Sequence, residues 1–422
     1  MIPYRAAREP SPILLIRLGT ALLVLAAAAS LVGSPNRGAS VPWIGLVAAG
    51  AVLVWLAAGG RQDDRGQVPA GGRGVGGDAP RKAARRLSDR MRGMAAARAA
   101  LAVGYSCLVI LPLLTEWPAY KLPALSRVYA AIPSLIPYAP AWLAPGLSPN
   151  QTGGVLAACL ALAAAFFVRT NRGGPVEPYL RGLRRMAAPL LIVGTPVLLA
   201  TGSRAALAGL AAAVITGYIV LNPRMAWATA AVVAAAVAIS LAAPDLPRGL
   251  LQRFLHDEPL QIKLLARVDI WASALKGIAD HPFAGIGPGT LNQVLPARYP
   301  YGEVGIGYTV TQAHNIVLDT ALTMGIVGAV GVVCAVAGGM WWGFRQARVA
   351  APSGVHAYAA DTHAARVQAT CAHAFTAPLV TFTVFGVTDA LSFASPAGLV
   401  FWMSLAGLLR VTRASSDADT PR

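Results

Sequence analysis

From Ile13 to Leu409 the chain alternates between long apolar runs and short polar breaks, and the runs have the length of membrane crossings rather than of globular core elements. A hydrocarbon core of about 30 Å is crossed by roughly 20 residues of helix, so each such run with few charges predicts one crossing. Ten runs qualify: Ile13 to Val32, Val41 to Ala58, Ala97 to Leu114, Thr152 to Val168, Met186 to Ala200, Ala205 to Leu221, Met225 to Ala242, Thr323 to Phe344, Thr370 to Val387 and Pro396 to Leu409. A further apolar stretch, Leu122 to Leu143, contains Pro123, Pro133, Pro137 and Pro140. Proline removes an amide donor and clashes with the preceding turn, so this stretch predicts a broken or interfacial pair that would raise the count toward twelve. The first run also has the outline of a signal peptide, with upstream arginines and the small residues Ala26 to Ser30; the nine spans behind it favour a retained first helix.

Composition points the same way. With 56% hydrophobic and 13% charged residues, 422 residues leave too little polar surface for a soluble domain. The expected fold class is all-α, a polytopic membrane helix bundle of ten to twelve transmembrane helices in a single membrane domain spanning residues 1–422. Two long polar gaps interrupt it, residues 61–96 and residues 244–313. The first is Gly/Arg-rich and reads as a flexible basic loop, with a basic helix over Arg81 to Arg92 against the inner leaflet.

Charge sets the orientation. With the N-terminus inside, 24 of the 35 Lys and Arg fall on the cytoplasmic side and ten outside, with Arg98 at a helix start. The positive-inside rule then places both termini and residues 61–96 in the cytoplasm. The net charge of +17 could indicate nucleic acid, but it is dispersed over short loops beside helices, where topology and anionic membrane lipids account for it. All four cysteines, Cys107, Cys159, Cys334 and Cys371, fall inside predicted spans, so neither a disulfide framework nor a Cys-based zinc site is expected.

The outer segment 244–313 is too long to be a simple connection. Leu264, Val268, Trp271, Leu275 and Ile278 recur at helical spacing, predicting an amphipathic helix over Ile262 to Ala279 with Arg267 and Trp271 one turn apart on the same face. The glycines of His281-Pro-Phe-Ala-Gly-Ile-Gly-Pro-Gly-Thr290 permit positive φ and close approach of a ligand or another backbone. No strand precedes them as a nucleotide fold would require, so a sharp turn under the helix is the simpler reading. Gln312-Ala-His314-Asn315 opens the next helix, with Asp319 about one turn deeper. A lone histidine is commonly structural, but one placed where a large loop re-enters the membrane belongs to the residue type suited to take a proton near neutral pH.

Arg204, in Thr201-Gly-Ser-Arg204, occupies a tight outer turn, where arginine either snorkels or grips two phosphate oxygens with its planar fork. Asp389 ends an outward-going span in the same layer, where it either caps the helix, orients His314 or balances an arginine. His256-Asp257-Glu258 is the only acidic cluster outside; it lacks further ligands at metal spacing and reads as a solvated loop.

Taken together, Thr201-Gly-Ser-Arg204-Ala-Ala-Leu, Arg267-Val-Asp-Ile-Trp271-Ala-Ser-Ala-Leu, His281-Pro-Phe-Ala-Gly-Ile-Gly-Pro-Gly and His314-Asn-Ile-Val-Leu-Asp319 resemble the O-antigen ligase and polymerase superfamily. Each piece is short, but their order around a large outer loop is specific. The resemblance covers residues 186–345 well, and the N-terminal third only in being helical. It implies a GT-C-like bundle, commonly of twelve helices, in the bacterial inner membrane, with residues 244–313 as a large, partly helical periplasmic loop. It implies a glycosyltransferase whose donor is a glycan on undecaprenyl diphosphate and, in the ligase branch, whose acceptor is a sugar hydroxyl of the lipid A core. Arg204 and Arg267 would bind the donor diphosphate and His314 would act on the acceptor hydroxyl, supported by Asn315 and Asp389, with no cofactor or metal.

Chemistry alone leads to a similar mechanism. Displacing a diphosphate from a sugar carbon develops negative charge on the leaving group, which two arginines in a partly dry cleft would stabilise. A base on the opposite face would deprotonate the incoming hydroxyl, and single displacement would invert the anomeric centre. Two alternatives stay open: a chain polymerase with the same donor, and a lipid-linked glycan flippase or exporter. A transporter would place ionisable residues near the bilayer midplane or show repeated halves, whereas Asp319 and Asp389 lie near the outer boundary.

Overall fold

The structure, a computed structural model, describes residues 12–59, 78–118, 121–140, 146–168, 178–221, 258–301, 310–348, 359–389 and 398–411. The span expected over Met225 to Ala242, His256 and Asp257 lie outside the described residues. Twelve α-helices occur among those described: α1 (Pro12–Gly33), α2 (Arg37–Gly59), α3 (Asp78–Leu113), α4 (Ser126–Ala131), α5 (Pro149–Val168), α6 (Pro178–Ala200), α7 (Arg204–Leu221), α8 (Glu258–Asp280), α9 (Leu291–Arg298), α10 (Ile316–Arg348), α11 (Ala359–Thr388) and α12 (Leu399–Val411). Seven of them are long and apolar enough to cross a bilayer, and α7 and α12 are shorter apolar helices. The chain is a polytopic helical membrane protein.

In its described part, Leu122 to Pro140, the Leu122 to Leu143 stretch breaks where its prolines require. A 3-10 turn at Pro123–Leu125, the six-residue α4 and another 3-10 turn at Ile136–Tyr138 replace a span. Ile132, which precedes Pro133, is extended at φ −75° and ψ 119°, as the proline ring demands of its predecessor. The basic run Arg81 to Arg92 is helical but not separate from the third span: α3 runs through both for 36 residues.

Burial orders the bundle. α5 and the spanning part of α11 are 78% and 83% buried and form its centre, whereas α1, α2 and α6 present most of their surface outward. The sequence of α5 explains its position, since Gly153-Gly154 and a run of Ala and Leu let neighbouring backbones approach closely. α1 lies along α10 by the same device: a Cβ on Gly19 would fall 2.5 Å from the carbonyl oxygen of Gly331 and from the amide of Ala335.

One helix is discontinuous. Gly325 interrupts α10 with φ 75° and ψ 173°, dividing it into a short helical piece, Ile316 to Met324, and a longer one from Ile326 onward. The glycine-rich loop after α8 fills the break. Ile286 and Gly287 donate their amides to the carbonyls of Leu322 and Thr323 at 2.9 and 3.0 Å, and Ile326 donates to Pro282 at 2.8 Å. A Cβ on Gly325 would lie 2.1 Å from the Phe283 carbonyl oxygen, so glycine is required there on both conformational and steric grounds. The α1–α2 hairpin closes the other side, with Ser34 and Ser40 against Gly287 and Trp43 against Gly289.

Candidate functional site

At the end of the bundle where α5, α7 and α10 begin and α6 and α11 finish, the polar residues converge on Asp389. This carboxylate is fully buried. Stripping a carboxylate of water costs several kcal/mol unless donors replace the water. Three do: Asn150 Nδ2 at 2.9 Å on Oδ2, and Gln312 Nε2 at 2.5 Å and His314 Nδ1 at 3.1 Å on Oδ1.

An ionised carboxylate only accepts, so a neutral imidazole facing one carries its hydrogen on Nδ1 and keeps a lone pair on Nε2. His314 is 24% exposed, which leaves the ring reachable from the bundle end. Its backbone sits at φ 50°, and it is the one non-glycine residue with positive φ among those described. Such a conformation costs on the order of 1–3 kcal/mol and persists only where neighbours impose it. Here they do so from both sides. The Trp271 indole donates to the Ala313 carbonyl at 3.0 Å, and the Ala313 amide donates to the buried carboxylate of Asp319 at 2.8 Å. Beyond His314, Asn315 caps α10, its Oδ1 accepting from the amides of Val317 and Leu318 while its Nδ2 donates to the Val387 carbonyl.

The amides around Asp389 are positioned by the start of α5. Ser148 and Gln151 form a reciprocal capping box, the Gln151 amide donating to Ser148 Oγ at 3.2 Å and the Ser148 amide to Gln151 Oε1 at 3.0 Å. The box places Asn150 on Asp389 and directs Gln151 Nε2 to Gln312 at 3.1 Å. Lys121 then donates to Asn150 Oδ1 at 2.6 Å. Its side chain also lies over the Thr201–Ser203 turn, 3.4 Å from where a Cβ on Gly202 would stand.

Arg204 is the first residue of α7, directly after that turn, and is exposed; Arg267 is half-buried on α8, one helical turn before Trp271. Neither arginine makes a salt bridge or side-chain hydrogen bond to a described residue. The structure therefore joins His314 and Asp389 directly and packs Asn315 beside them. Arg204 is linked to them through Gly202, Lys121 and Asn150, and Arg267 through Trp271 and Ala313. The glycine-rich loop shares a small core with Ala313 through Ile286, and two of its amides are committed to α10. Among the described residues no three His, Cys, Asp or Glu side chains group as a metal site.

Four polar members, Lys121, Asn150, Gln151 and Gln312, were not assigned a role from sequence. The Ser148-x-x-Gln151 pattern was the available signal, because a capping box marks a helix start and would have drawn the span's beginning back from Thr152 to include Asn150.

The class defined by this architecture is a multi-pass helical membrane protein with a carboxylate-oriented histidine at one end of the bundle. Residues 189–333 match the sequence profile of the O-antigen ligase family, so over that stretch, about a third of the chain, the sequence is similar to that family. The match includes Arg204, Arg267, the glycine-rich loop and His314, and supports a function of the ligase or polymerase type. Among curated proteins no sequence matches the chain.

Proposed function

We propose that the chain is an O-antigen ligase that transfers a glycan from undecaprenyl diphosphate to a sugar hydroxyl of the lipid A core at the periplasmic face of the inner membrane. The observation that carries this reading is the His314–Asp389 pair, in which Nδ1 faces the carboxylate, at the bundle end that also carries two arginines uncommitted to any described residue. Residues 244–313 then form the periplasmic loop, residues 61–96 and both termini are cytoplasmic, and residues 1–422 act as one membrane domain.

In the reaction, His314 Nε2 takes the proton of the acceptor hydroxyl as its oxygen bonds to the anomeric carbon. The bond from that carbon to the diphosphate breaks, and the diphosphate leaves with the electron pair. Arg204 and Arg267 neutralise it through paired, planar hydrogen bonds. Asp389 stabilises the imidazolium formed and holds the ring in place, the part a carboxylate plays beside a catalytic histidine. Attack opposite the leaving group inverts the anomeric centre.

Removal of the gene tests this. Loss of long chains from surface lipopolysaccharide with accumulation of full-length undecaprenyl-linked glycan supports the ligase. Accumulation of single-repeat donor assigns a polymerase instead, and unchanged surface glycan refutes both.

A further inference from the structure

α8 carries an apolar stripe that is exposed among the described residues. Leu265, Val268, Ala272, Leu275 and Ala279 recur every three or four residues and are all exposed, the three large ones by more than half. The opposite side of the same helix is buried: Ile270 and Ala274 pack with Ile286, Leu295, Ala313 and Leu322 in a small core of their own. α8 is thus apolar on two sides, one facing the protein and the other facing out.

We propose that α8 lies within the bilayer surface at the site end, with this outward stripe seated among lipid acyl chains. Continuity with the spanning surface argues for it. α8 ends at Asp280 and passes directly into Pro282–Phe283, and Phe283 is 78% exposed. The Phe283 carbonyl abuts Gly325, immediately above Ile326, Val330 and Val333, which form the outward stripe of the spanning part of α10. An uncovered apolar surface therefore starts on a membrane-crossing helix, passes over Phe283 and meets the end of α8. Charge argues for it as well. Lys276 is exposed at the margin of the stripe, where a cation of a surface-lying helix meets lipid phosphates. The seating fixes Arg267 at headgroup depth. It requires no transfer activity, so its test reads lipid contact alone.

The full chain, with Cys107, Cys159, Cys334 and Cys371 replaced, is spin-labelled singly at Val268→Cys, Leu275→Cys and Lys276→Cys and reconstituted in phosphatidylethanolamine and phosphatidylglycerol vesicles. Oxygen, which concentrates in acyl chains, should relax the first two labels severalfold more than a water-soluble nickel chelate does, and Lys276→Cys should show the reverse. Preference of labels 268 and 275 for nickel would make α8 a water-facing loop helix. Inaccessibility to both reagents with spin-spin broadening would make the stripe a contact with a second copy. Either result overturns the proposal. Should the cysteine-free chain not fold, a benzophenone amino acid at position 268 of the otherwise native chain reads the same contact. Adducts to lipid support the proposal; adducts to protein alone, or none, overturn it.

Discussion

Replacing Asp389 with asparagine separates the shape of the buried acceptor from its charge. The carboxylate receives two donors on one oxygen, from Gln312 and His314, and one on the other, from Asn150. An amide offers one oxygen and one NH2 group, so at least one of these donors must face another donor. If the NH2 replaces Oδ2 it meets Asn150, whose own oxygen is held by Lys121. If it replaces Oδ1 it meets His314, and the ring relieves the conflict by moving its proton to Nε2, which removes the base. Either arrangement also removes the charge that stabilises the imidazolium. General-base catalysis contributes about 10²- to 10⁴-fold in rate, equivalent to about 2.7–5.4 kcal/mol of barrier. Asp389→Asn is therefore expected to lower kcat within that range and leave KM for the donor nearly unchanged. Folding should weaken by no more than about 1–3 kcal/mol, the cost of one buried donor left unmatched. The assay is transfer of a labelled glycan from lipid diphosphate to lipid A core in vesicles containing purified protein, with a melting curve of each variant. A well-folded Asp389→Asn protein with near-normal kcat would refute the assignment of His314 as an oriented base.

Other outcomes follow from the same geometry. His314→Ala should abolish transfer while leaving expression and donor binding intact, a loss of about 10²-fold or more measured in the same vesicles. Arg204→Lys and Arg267→Lys keep the charge but lose the planar fork, so both should lose most activity with a larger change in donor than in acceptor binding; normal activity in alanine variants would make these arginines snorkelling residues. Cysteines placed within residues 244–313 should react with an impermeant thiol reagent in permeabilised-envelope cells, and those within residues 61–92 should not. The opposite labelling would place the site in the cytoplasm. Gly325→Ala should destabilise the protein more than an ordinary helix substitution, read as a lower melting temperature, because its Cβ would sit 2.1 Å from the Phe283 carbonyl oxygen.

The membrane made much of this fold legible, because a bilayer demands long apolar helices with internally satisfied backbones. Ten spans were expected; seven are long helices, two are short ones and one lies outside the described residues. Prolines marked the broken stretch after Leu122 for the same reason, since a missing donor acts locally. Gly325 was not legible as a break. In Met324-Gly325-Ile326 it looks like any small residue of an apolar run, and the cause of the break is the carbonyl of Phe283, supplied by a different segment. The candidate site divides in the same way. His314, Asp389 and the arginines stand out as charges or imidazole at span ends, whereas Asn150 and Gln312 are unremarkable amides until folding brings them to one carboxylate.

The packing of α1 along α10 has a consequence for how the protein is made. Gly19 on α1 is complementary to Gly331 and Ala335 on α10, which are synthesised only after α2 to α9. Until then its small-residue groove faces lipid, and helices inserted in between can lie against it but lack its matching surface. The α1–α2 hairpin must therefore wait in the bilayer for a later partner, so the glycine-rich loop, wedged between them through Gly287 and Gly289, can lock only after α10 has been made. Chains cut short before α10 would carry inserted helices but an unassembled bundle end, and would be substrates for membrane proteolysis rather than partly active enzymes.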